Sequence, residues 1–180
     1  MQRGVKLIAL ISTAATLLFA AVYISSRIGI FLTLAITCGT TAYHFLMRLA
    51  VGGIINGIFR NDISYELKWF KERKFEKALY AKLNVKKWKR NIPTYSPDTF
   101  STEKHSYEEI AKATCQAELV HEIIVLLSFL PISAIPIFGA WPVFLITSLI
   151  AAGIDLFFAT VQRYNRPRII RLIRAQKKTT

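Results

Sequence analysis

Three apolar stretches decide what this chain can fold into. Residues 5–24 are apolar apart from Lys6 and small hydroxyl residues, and 28–51 form a second run that carries His44 and Arg48 toward its end. The third run, 119–161, is broken by Phe138-Gly139-Ala140-Trp141-Pro142. A helical span needs roughly twenty predominantly apolar residues, so the third run is long enough for two crossings. In hydrocarbon every backbone polar group must be satisfied within its own segment, which favours helix. The expectation is an all-α integral membrane protein with four transmembrane helices, at about 5–24, 28–51, 119–138 and 141–161. They would form a single membrane domain over the whole chain. The first run begins with Arg3 and Lys6, as a signal peptide would. Its apolar core is longer than such a leader requires, and the second run follows after only Ser25-Ser26-Arg27, so it reads as a retained helix paired with the second in an antiparallel hairpin.

Charge orients these helices. The chain carries a net charge of +13 on a 53% hydrophobic composition. Thirteen Lys/Arg fall between Arg60 and Lys112 and seven more lie from Arg163 onward, whereas the first turn holds only Arg27 and the turn around Gly139 holds none. By the positive-inside rule both termini, the loop at 60–117 and the basic tail at 162–180 face the cytoplasm of a multi-pass protein of the cell membrane. Anionic lipid and phosphorylated substrates account for the charge more simply than nucleic acid, which is not expected as a partner. Cys38 and Cys115 have no disulfide or metal spacing, and no Gly-rich nucleotide loop is present.

The loop is patterned. Leu67, Phe70, Phe75, Leu79, Leu83 and Trp88 alternate with basic residues across 64–89, which suggests an amphipathic helix at the headgroup boundary with Trp69 and Trp88 as anchors. Asn91, Pro93, Pro97 and Asp98 mark a turn-rich loop. Ser106-Tyr107-Glu108-Glu109 is a capping box, from which a helix should run into the third span. After Pro167 the tail reads as a short surface helix, with Ile169, Ile170, Leu172 and Ile173 on one side and Arg168, Arg171 and Arg174 on the other.

Polar residues inside the spans share helix faces. Thr37, Thr41, His44, Arg48 and Gly52 follow three- and four-residue steps on the second, and Glu118, His121, Glu122, Val125 and Ser128 do so on the third. Ser148, Asp155 and Gln162 fall seven apart on the fourth. Ionisable groups are costly in a bilayer, so such stripes face a cavity or one another. His121, whose side-chain type titrates near neutrality, is the natural general base. Glu118, Glu122 or Asp155 would hold its tautomer, and nearby arginines would bind an anionic group. His44 is a second candidate base, lacking a neighbouring carboxylate on its own helix. Arg48 or Arg163 would neutralise the carboxylates. This constellation suits acyl transfer to a hydroxyl, by direct attack because no activated Ser or Cys nucleophile is evident. A small transporter with coupling carboxylates, a non-enzymatic assembly subunit and another lipid-modifying enzyme are the competing readings.

Three motifs carry a resemblance. Val-Lys-Lys-Trp-Lys at 85–89, Ala-Glu-Leu-Val-His at 117–121 and Gln-Arg-Tyr-Asn-Arg-Pro-Arg at 162–168 resemble those of the glycosyl-4,4'-diaponeurosporenoate acyltransferase family, over about 65–175 and in the same order. That family is named for esterifying a sugar hydroxyl of a glycosylated carotenoid with a fatty acid. The resemblance implies Lys87, Trp88, Glu118, His121, Arg163, Asn165, Arg166 and Arg168 as site residues. One departure is Asp155, where the carotenoid enzyme carries asparagine, so donor or acceptor can differ. The expectation is an acyltransferase with His121, Glu118 and Asp155 catalytic. Arg48, His44, Glu122, Lys87, Trp88, Gln162, Arg163, Asn165, Arg166 and Arg168 would bind substrate. No cofactor is expected. An acyl-CoA, acyl-carrier or acyl-phosphate would be co-substrate, and a lipid or glycolipid the acceptor. So small a bundle also suits completion of the site by a homodimer.

Overall fold

The computed structural model describes residues 2–88 and 97–179, and every regular element among them is helical. The helices are α1 (Gln2–Ser26), α2 (Gly29–Phe59), α3 (Glu76–Lys82), α4 (Val85–Trp88), α5 (Tyr107–Leu127), α6 (Ile135–Phe138) and α7 (Trp141–Thr179). Four stretches are long and apolar enough to cross a membrane: Arg3–Ser26, Gly29–Phe59, Tyr107–Phe138 and Trp141–Lys178. The chain gathers into two compact units, one of Met1–Gly53 with Ile123–Asp155 and one of Ile54–Glu122 with Leu156–Thr180.

In the first unit α1 and α2 form the expected hairpin. Arg27 takes a left-handed φ of 57°, and its N–H donates to the Tyr23 carbonyl at 2.8 Å to close α1. Phe19 stacks on Phe31 at 6.5 Å. Gly39 faces Thr16 so closely that an added Cβ would meet Thr16 Cγ2 at 3.4 Å. The outward side chains of α1, among them Leu10 and Leu17 at 68% exposure each, are what a lipid-facing helix presents. On α2 the buried stripe is Thr40, His44, Met47 and Val51. Of the expected face, His44 is buried and Arg48 and Thr41 are half-buried, while Thr37 is exposed; both threonine hydroxyls are satisfied locally. Thr37 donates to the Thr33 carbonyl and Thr41 to the Thr37 carbonyl, each at 2.8 Å. Past the end of α5 the chain tightens into a 3-10 turn at Leu130–Ala134 and the short α6, with a proline near the start of each. Tyr43 Oη donates to the Leu127 carbonyl at 2.8 Å, satisfying one of the orphan acceptors that helix ends leave.

In the second unit the last turns of α2 end at Arg60 and Asn61, both left-handed. Gln116 secures that end: its Oε1 accepts from the Asn61 N–H at 2.6 Å and its Nε2 donates to Asn56 Oδ1 at 3.2 Å. The capping box forms as its spacing predicts. Glu109 Oε2 accepts from the Ser106 N–H at 2.7 Å, and the Glu109 N–H donates to Ser106 Oγ at 3.2 Å.

Two expectations need correction. The segment 64–88 is not one amphipathic helix but a 3-10 turn at Lys68–Phe70 followed by α3 and α4. Phe70, Glu76, Tyr80 and Val85 turn inward, while Leu67, Phe75, Leu79 and Leu83 stay exposed. Among these inward groups Glu76 is charged, and it is held by Arg163 and Tyr80. The tail is not a separate helix either, since α7 runs unbroken through Pro167. A proline in a helix interior costs about 3 kcal/mol. Burial on both flanks, at Arg166 (1% exposed) and Ile173 (4%), holds the helix through it. The turn-rich stretch through Asn91 and Pro93 lies outside the described residues.

Candidate active site

Helices α5, α3 and α7 each bring charge to one place in the second unit. Glu118 on α5 is fully buried, Glu76 at the start of α3 is 3% exposed and Arg166 on α7 is 1% exposed. Arg163 joins them one turn before Arg166. Arg163 Nε donates to Glu76 Oε1 at 2.8 Å, its Nη1 to Glu118 Oε1 at 2.6 Å and its Nη2 to the Lys71 carbonyl at 3.3 Å. Arg166 Nη2 donates to Glu118 Oε2 and, at 3.0 Å, to the Thr114 carbonyl. Its Nε reaches Thr114 Oγ1 at 3.1 Å and its Nη1 the Phe70 carbonyl at 3.1 Å. The guanidinium also lies 4.9 Å from the Phe70 ring centroid. Two carboxylates face two guanidiniums, so the cluster is neutral as a whole. That balance is what makes the burial of four charges tolerable.

Tyr80 extends the cluster, donating from Oη to Glu76 Oε2 at 3.3 Å. Burial first, then the Glu76 carboxylate, pushes the Tyr80 phenol above its ordinary range, so it stays protonated and remains a donor. His121 lies one turn beyond Glu118 on α5, half-buried, its ring stacked on Phe158 at 5.0 Å and 15°. Beside it Glu122 Oε2 accepts from Trp69 Nε1 at 2.8 Å. Gln162 and Asn165 are half-buried on α7, and Arg168 is exposed. Lys87 is exposed on α4, and the side chain of Trp88 falls outside the described residues.

The first unit holds a separate polar group. Arg48 on α2 reaches Asp155 on α7, with Nε donating to Oδ2 at 2.9 Å and Nη2 to the same oxygen. Arg48 Nη1 donates to the His44 carbonyl at 3.0 Å and Nη2 to the Ala151 carbonyl at 3.1 Å. His44 is buried with its ring edge-on to Tyr43 at 5.4 Å, and neither ring nitrogen has a hydrogen-bond partner among the described residues.

A family model described as glycosyl-4,4'-diaponeurosporenoate acyltransferase matches residues 66–175. The chain belongs to the glycosyl-4,4'-diaponeurosporenoate acyltransferase family. It is an acyltransferase. No curated protein matches the chain, and no solved structure does. Within the span matched to this acyltransferase family lie all four members of the buried cluster, together with His121 and Arg168. His44 and Arg48 fall outside it.

The structure thus brings together Glu118, Arg163 and Arg166 in one unit, and Arg48 with Asp155 in the other. Sequence reasoning missed Glu76, Tyr80, Thr114 and Phe70. The one available signal was Glu76 with Tyr80 at i, i+4, a carboxylate and a phenol on a common face within a basic segment.

Proposed function

We propose that the chain is a membrane-embedded enzyme that moves a fatty acyl group from an activated donor to a hydroxyl of a lipid or glycolipid. His121 Nδ1 or Nε2 accepts the proton of the acceptor hydroxyl as its oxygen attacks the acyl carbonyl carbon. The bond from that carbon to the donor's leaving group breaks. The proton then passes from the imidazolium to the leaving group, giving an ester and the free carrier. The Glu118–Arg163–Arg166 set fixes α5 against α7, and so fixes the backbone that carries His121. The exposed part of the arginine run, with Arg168, binds the anionic part of the donor. Both termini lie on the cytoplasmic side, a reading supported by the Lys/Arg excess in the middle loop and tail.

One observation carries this reading: the family match spans the segment in which every member of the buried cluster and His121 lie. The test uses purified protein in detergent micelles, a labelled acyl thioester and a membrane lipid extract, with ester formation followed by mass spectrometry. His121→Ala should lower kcat by about 10²–10⁴, the range general-base catalysis supplies, while the protein elutes as a folded species. A rate within about tenfold of wild type, below that range, would remove His121 from the base role.

A further inference from the structure

A second feature of the same unit lies on the outer side of α7. Helices α3, α4 and α7 enclose a pocket of about 420 Å³, within the size range of small-molecule sites. Lys77 of α3, Lys86 of α4, and Arg168 and Arg171 of α7 line it. Tyr80 and Tyr164 also line it, packed edge to face at 5.6 Å. The single carboxylate in the wall among the described residues, Glu72, stands 3.7 Å from Lys77 and offsets only one of these four cations. The lining is therefore strongly positive and concave. Four cations brought from three elements match a multivalent anion better than a single carboxylate. Arginine forks and lysine ammonium groups are the usual partners of phosphate. Lys77 is engaged by Glu72, whereas Arg168, Arg171 and Lys86 are exposed and open to a ligand, in contrast to the buried Arg166. Tyr80 connects the pocket to the interior cluster through its bond to Glu76.

We propose that this pocket binds a phosphate ester carrying more than one negative charge. Resting on the acyl-transfer reading, its occupant is the phosphorylated handle of a soluble acyl thioester. The phosphomonoester headgroup of phosphatidic acid offers the same chemistry from a second source.

The probe for the first source is coenzyme A with a free thiol, which binds through its phosphates but has no acyl group to transfer. Calorimetric titration into full-length protein in zwitterionic lipid nanodiscs should give saturable binding. Arg168→Ala and Lys86→Ala should each weaken it about tenfold, the effect of losing one charge-assisted hydrogen bond. Arg174→Ala and Lys178→Ala remove equal charge from the same helix outside the pocket, and should leave the affinity within about threefold, as expected for exposed charges acting only through a screened field. All four side chains are exposed, and circular dichroism checks that each variant keeps its helices. In a parallel arm, phosphatidic acid is added to the nanodiscs. Lipid binding that depends on Arg168 and Lys86, with no saturable coenzyme A binding, supports the phosphate site and names the lipid as its source. If neither ligand distinguishes the pocket variants from Arg174→Ala and Lys178→Ala, the proposal is overturned. The two readings fail separately. Pocket-dependent coenzyme A binding without ester formation from any acyl thioester would remove acyl transfer and leave the pocket. Full turnover with binding insensitive to Arg168 and Lys86 would remove the pocket and leave acyl transfer.

Discussion

Glu118→Gln is the sharpest test of the buried cluster. The substitution keeps the side chain's shape and removes one negative charge, leaving Glu76 alone against Arg163 and Arg166. Arg166 is 1% exposed and cannot regain water, so its charge would remain buried without a counter-ion. Removing one partner of a buried ion pair costs about 3–5 kcal/mol. Counting bonds gives a similar figure: Glu118 accepts one charged hydrogen bond from each arginine, at about 1.5–3 kcal/mol apiece. Arg163, with a side chain 14% exposed, can recover part of its share from solvent, which favours the lower half of the range. For a chain of this size that corresponds to a fall in Tm of about 10 °C. Cys115 provides the readout, since it is fully buried in the same unit and a thiol-reactive dye labels it only on unfolding. Cys38→Ser removes the background thiol. The double variant Glu118→Leu with Arg166→Met deletes one charge of each sign and leaves the Arg163–Glu76 pair intact. It should be more stable than the sum of its single changes by about 1.5 kcal/mol or more. A Glu118→Gln Tm within about 2 °C of wild type, or additive double-variant behaviour, would refute the claim that these charges hold one another in place.

Tyr80→Phe removes the bond to Glu76 and should cost about 1 kcal/mol. Because the folded state raises the Tyr80 phenol above its ordinary 10.0, its contribution is present below that pH and is lost as pH rises further. The wild type should therefore lose stability to alkali more steeply than Tyr80→Phe, and parallel stability–pH curves would count against a buried, protonated phenol. Asp155→Leu strands the Arg48 charge within a candidate span, at a cost of about 2.5–3.5 kcal/mol on insertion scales. Arg48→Met in the same chain should restore thermal stability, and no rescue would show that the pair does not clamp α2 to α7 in the first unit.

What could be read from the sequence was what is local or periodic. The Ser106–Glu109 box needs only four neighbouring residues, so its spacing was sufficient. The spans needed only length and apolarity. Glu118 and Arg163 were legible as partners because ionisable groups beside apolar helix must find one another, whereas Arg166, expected on substrate, pairs with Glu118 as well. Glu76 was not legible, because its charged partner Arg163 comes from α7 and its own segment reads as a basic surface strip. The face of α2 was legible at His44 and Arg48 but less so at its threonines. A threonine in a helix can satisfy its hydroxyl on its own backbone, so Thr37 did not have to face inward, and Thr40, bonded the same way, lies buried. Pro167 misled in the opposite direction. Its local cost is real, but packing at Arg166 and Ile173 outweighs it.

The spacing within the arginine run then explains how one short segment can serve two purposes. Successive residues of an α-helix turn by about 100°, so Arg163 and Arg166 are separated by three residues and share a face. Arg168 follows only two residues later and falls on the opposite side, where Arg171 joins it after a further three. The continuous helix through Pro167 preserves this register. A break at the proline would have freed the second pair to point anywhere. As built, the first pair turns inward onto Glu76 and Glu118, and the second lines the basic pocket. The inward pair is already matched by carboxylates, so an anionic ligand reaching it would have to displace Glu76 or Glu118 and strand a buried charge. The outward pair shares its pocket with Glu72, which stands 3.7 Å from Lys77. Under the proposed phosphate site, anion recognition by this segment therefore falls to Arg168 and Arg171, with Arg163 and Arg166 holding in place the helix that presents them.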